Sequence, residues 1–96
     1  MVFLALWGSL ATLSPQKEVQ IQQLDQQIQE LEDMKLGFDA RALRHEEQAD
    51  RLQFNDETYL ETRRHIQLAE ENRAKASALQ KEIDRLQAEK DKILSR

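Results

Sequence analysis

The chain has 96 residues, of which 33% are charged and 5% aromatic, and a formal net charge of −4. A chain this short forms one domain at most, and so few large apolar side chains exclude a broad globular core, leaving the apolar residues for a narrow seam. The acidic balance argues against nucleic acid as a partner, which needs a basic footprint, and the absence of cysteine removes disulfides and thiolate zinc sites.

Residues 1–16 carry no charged side chain, and Met1-Val2-Phe3-Leu4-Ala5-Leu6-Trp7 is a continuous apolar run. A membrane span needs about 20 apolar residues, and this segment offers about 13. Ser9-Leu10-Ala11 has the small-residue alternation of a signal-peptide cleavage site, but the positively charged region before it is missing. Residues 1–14 are therefore expected to be an apolar N-terminal segment whose Phe3, Leu6, Trp7 and Leu10 dock on a partner chain or fold over the open end of the helices. A membrane-surface anchor or a targeting element is the alternative.

Ser14-Pro15 has the form of a helix start: Ser caps free amides, and Pro at the first helical position has no N–H to lose. From Lys17 onward Gln, Glu, Lys, Arg, Leu and Ala dominate, which is the composition of long helices and gives strands almost no support. Ile21, Leu24, Ile28, Leu31, Lys35 and Phe38 recur at spacings of three and four, a coiled-coil stripe. Gly37 interrupts this helix and is expected to mark a kink or the close approach of a second helix. Ala42, His45, Ala49 and Leu52 continue the heptad with small or polar residues, predicting a looser end there.

Phe54-Asn55-Asp56-Glu57-Thr58-Tyr59 is the expected turn. Asn55 suits a left-handed helix C-cap, and Thr58 with Glu61 three residues on has the form of a capping box. The helix after it carries a second stripe, Ala76, Leu79, Ile83, Leu86, Lys90 and Ile93, flanked by acid-before-base pairs at Glu70/Arg73, Glu71/Lys75, Glu82/Arg85 and Glu89/Lys92. Folding back at the turn pairs residues whose numbers sum to about 114, placing Ile28 opposite Leu86, Leu31 opposite Ile83, His45 opposite Ala69 and Ala49 opposite His65. Residues 17–40 carry 2 basic and 6 acidic side chains and residues 65–96 carry 7 and 6, which favours this antiparallel pairing over a parallel one that stacks acid on acid. The expected fold is all-α, a long two-helix antiparallel coiled-coil hairpin over 15–96 with its turn near 54–58. The alternative is a single long helix in a parallel coiled-coil dimer.

Catalytic chemistry has little footing. Glu57, Glu61 and His65 share a helix face, but metal sites in bundles draw ligands from several helices. His45-Glu46-Glu47 lacks the second histidine of a metalloprotease helix, since Ala49 stands there. No Gly-rich phosphate loop appears, and no nucleophile has a base at a recognisable spacing. No enzyme activity, cofactor or metal is expected. Lys35 and Lys90 inside the stripes are expected to restrict register, and Arg63-Arg64-His65 is a small basic spot beside the turn.

These features point to a nonenzymatic interaction protein, a scaffold, adaptor or small chaperone that acts by helix–helix recognition. The seam residues Ile21, Leu24, Ile28, Leu31, Phe38, Leu79, Ile83, Leu86 and Ile93 are the expected partner-binding positions, in a homo-oligomer or a hetero-complex. A cytoplasmic setting is favoured, with a membrane-associated or exported protein as the alternative class. Helical hairpins of this length resemble the small secreted WXG-type proteins in shape, but the Trp-x-Gly at the bend that defines these is missing, because Trp7 and Gly8 are adjacent and far from the turn.

Overall fold

The computed structural model describes residues 13–53 and 55–95. It is a helical hairpin: α1 (Pro15–Leu52), a short 3₁₀ turn (Asp56–Thr58) and α2 (Tyr59–Ser95), with no strand among the described residues. The two long helices pack side by side, and the molecule measures 70 × 25 × 15 Å. The turn rules out the uninterrupted helix of the parallel alternative.

α1 begins as its sequence dictates. The Ser14 hydroxyl oxygen accepts a hydrogen bond from Lys17 N at 3.2 Å, Pro15 follows in the first turn, and Glu18 N donates to Ser14 O at 3.0 Å to close the first α-turn.

The turn is built differently from the expectation. Asn55 is extended, at φ −117° and ψ 114°, and no non-glycine residue among those described has positive φ. Its side-chain oxygen instead accepts from Glu57 N at 3.0 Å and starts the 3₁₀ turn, a local side-chain bond that Asn offers as readily as a left-handed cap. Thr58 does not lead a capping box. Its hydroxyl lies 2.9 Å from both Leu52 O and Asn55 O, so the single proton closes the end of α1, whose last carbonyls have no partner within the helix.

Every heptad position of the two extended stripes, from Ile21 to Leu52 and from Thr62 to Ile93, is buried or half-buried. The stripes therefore meet. Burial is uneven between the two columns of the seam, however. Ile28, Ala42 and Ala49 on α1 and Thr62, Ala69, Ala76 and Ile83 on α2 are buried and lie in one column, at multiples of seven; among the described residues Leu86 alone is as buried in the other. Ala42 is 0% exposed. Small side chains along one column let two backbones approach, and the larger residues of the second column then cover the contact from the side.

Same-column pairing shifts partners by about one turn from the register predicted by joining opposite columns, so His45 meets His65 rather than Ala69. The turn-proximal half is thus closed by small residues. Gly37 is not a point of close approach: a Cβ built there meets nothing within 4 Å.

Candidate interaction site

The seam residues expected to bind a partner are engaged within the chain. Ile28, Ile83 and Leu86 form the apolar centre, with Leu24 and Leu31 packed against it. Ile21, Leu79 and Ile93 are half-buried along its continuation. Two cations lie over the Phe38 ring, the Arg41 guanidinium 5.3 Å and the Lys75 ammonium of the opposite helix 5.6 Å from its centre. The docking residues Phe3, Leu6, Trp7 and Leu10 lie outside the described residues, as does Phe54 of the turn.

Charged side chains stitch the seam from its flank. Arg73 has Glu70 one turn away on its own helix, yet its guanidinium crosses to α1. Nε and Nη2 donate to the two carboxylate oxygens of Glu46 at 2.6 and 3.0 Å, with Asp39 4.0 Å away. The hydrogen bond from Arg73 holds the Glu46 carboxyl below the usual carboxylate range, and the same bond raises the Arg73 guanidinium. Lys90 reaches Asp25 of the opposite helix at 2.7 Å, so this seam lysine keeps its stem in the stripe and its charge at a carboxylate. Farther along, Arg85 clasps Glu82 and approaches Glu89 on the same helix; the bond to Arg85 lowers the Glu82 carboxyl.

A second apolar set is left uncovered. Leu36 (67% exposed) and Leu43 lie seven residues apart on α1, one turn before Asp39 and Glu46, and Tyr59 and Ile66 lie seven apart on α2. Ile66 lines a groove with Glu46, Ala49, Asp50, Gln53 and Thr62, so these side chains border the face that carries the Arg73–Glu46 bridge. Sequence reading passed over them because it followed the stronger stripe; the seven-residue spacing beside it was the available signal.

On the opposite flank, His45 and His65 face each other with Nδ1 atoms 2.9 Å apart and ring centres 5.2 Å apart, in a groove also lined by Glu61, Arg64 and Leu68. Among the described residues no group of three or more His, Cys, Asp or Glu side chains gathers as metal ligands. Among them, too, no helix is long and apolar enough to cross a membrane.

No family model matches the chain, and no curated protein or solved structure matches it at a significant level.

Proposed function

We propose that the hairpin is a nonenzymatic interaction module that presents a flank of its helix pair to another helix, from a second copy or from a different protein. One observation carries this reading. The heptad seam is engaged inside the chain, its residues buried or half-buried, yet Leu36, Leu43, Tyr59 and Ile66 remain exposed beside it, and a third helix lying along that flank would cover them. Ridges of apolar residues at seven-residue spacing, bordered by the Arg73–Glu46 bridge, match the helix-in-groove mode of recognition. A pair of helices 15 Å across its thin direction also has little depth in which to enclose a substrate. The seam's role is then to hold the flank straight, and scaffold, adaptor and chaperone remain versions of the same activity.

Photoreactive residues placed singly at Leu43 and Ile66, with Glu30 and Glu71 on the polar back as controls, test it in the native source. Cross-links to a helical partner or to a second copy are expected from 43 and 66 and not from 30 or 71. Equal labelling at all four positions, or none at any, counts against the flank. Removing residues 1–13 in parallel separates this reading from its alternative. If binding to anionic vesicles is strong and disappears with the truncation while cross-linking at 43 and 66 is absent, the protein is a membrane-associated one anchored by its apolar segment.

A further inference from the structure

We propose that His45 and His65 form a proton-operated latch on the turn-proximal half of the hairpin, closed while the facing Nδ1 atoms share one proton and open when both rings are protonated. The geometry leaves few ways to occupy the gap. Two Nδ1 atoms 2.9 Å apart are within hydrogen-bonding distance, and such a bond needs one nitrogen with a proton and one without. Two neutral rings satisfy this with opposite tautomers. A single added proton keeps the acceptor and turns the contact into a charge-assisted bond, which is shorter and stronger. A second proton removes the acceptor and sets two N–H groups and two like charges against each other, so the rings must part.

Parting matters because of where the pair sits. The histidines come from opposite helices, and the buried residues around them are Ala42, Ala49, Thr62 and Ala69, which offer little apolar area to hold the helices once the tie is lost. The Ile28, Ile83, Leu86 centre lies toward the other end and does not depend on the latch.

Charges facing the pair do not offset the second proton. On α2, Glu61 and Arg64 line the same groove, one attracting and one repelling an imidazolium. On α1, Arg41 stands one turn before His45 and is drawn to the Phe38 ring, while Glu46 next to His45 is bound to Arg73 on the other flank. Lowering the pH should therefore first strengthen the tie as one proton is added, then release it as the second arrives, with native protein losing stability where it binds fewer protons than the unfolded chain.

The test uses the full chain in wild type, His45→Gln and His65→Gln forms, whose other carboxylates and bases are common to all three. Melting temperature is followed from neutral pH to about pH 4, past the range in which a lone imidazole charges, because the second proton is added against a like charge. The wild type is expected to lose several degrees more than either variant, and amide exchange is expected to quicken over residues 42–49 and 62–69 before it does over 24–31. On the wild type alone, scalar coupling between the two Nδ1 nuclei across the hydrogen bond should be visible at neutral pH and vanish in the same interval. Parallel melting profiles for all three proteins, or no coupling at any pH, would overturn the latch. So would a zinc-dependent rise in the wild-type melting temperature that a chelator reverses and the variants lack, since the pair would then hold a metal ion in place of the proton.

Discussion

Arg73 on α2 grips both carboxylate oxygens of Glu46 on α1, a two-pronged bridge across the seam with arms of 2.6 and 3.0 Å. Fork-to-fork geometry is the form in which an exposed ion pair contributes most, but both partners remain solvated, so the coupling is small and sensitive to salt. A double-mutant cycle with Arg73→Met and Glu46→Gln should show a favourable coupling that shrinks in high salt. Its pH dependence follows from the lowered Glu46 carboxyl. The contribution is complete above the unfolded carboxylate value of about 4.3, declines as pH falls through it, and is gone below the lower native value. Urea titrations of the four proteins at neutral and acid pH measure this. A coupling that grows on acidification would contradict it.

Gly37→Ala should stabilise the hairpin. The glycine lies inside α1 without positive φ, and an added Cβ meets nothing within 4 Å, so the substitution gains helix propensity and meets no clash. A gain of about 1 kcal/mol is expected. Thermal melting followed by circular dichroism should show a rise of about 4–8 °C for a domain of this size.

The heptad spacing revealed the seam because a helix can hide apolar side chains from water on one side only at that period, and Ile28, Ile83 and Leu86 are buried as their positions require. What spacing leaves open is which column lies at the centre. That depends on how near the backbones come, and so on the summed effect of Ala42, Ala49, Ala69 and Ala76, which is why the His45–His65 contact was displaced by one turn. Arg73 was misassigned for a related reason. Glu70 sits at helical spacing in the sequence, while Glu46 is near only once the chain has folded back. Leu36 and Leu43 were overlooked because two leucines seven apart are a faint stripe beside a strong one.

The column of small residues makes a prediction about size. Ala42 is fully buried, so Ala42→Leu must push the helices apart, at a cost of about 1–3 kcal/mol despite adding apolar area. Ile83 is 2% exposed, and Ile83→Ala should cost about 2–5 kcal/mol by leaving a cavity against Ile28 and Leu86. Urea denaturation of both variants decides the matter. If Ala42→Leu were stabilising, the helices would not be in close contact there.

The turn offers a substitution whose sign separates two ways of making it. Were Asn55 a left-handed cap, Asn55→Gly would relieve strain and raise stability. Its φ is −117°, however, and its side-chain oxygen holds Glu57 N at 3.0 Å. Glycine would remove that acceptor and add backbone freedom to the unfolded chain, so a loss of about 1 kcal/mol is expected. Thr58→Val should also cost about 1 kcal/mol, because it keeps the shape of the side chain and deletes the hydroxyl proton offered to Leu52 O and Asn55 O. The two substitutions act on one short turn and should be less than additive when combined. Equilibrium unfolding of the single and double variants checks both, and a stabilised Asn55→Gly protein would show that the chain reverses through a left-handed residue after all.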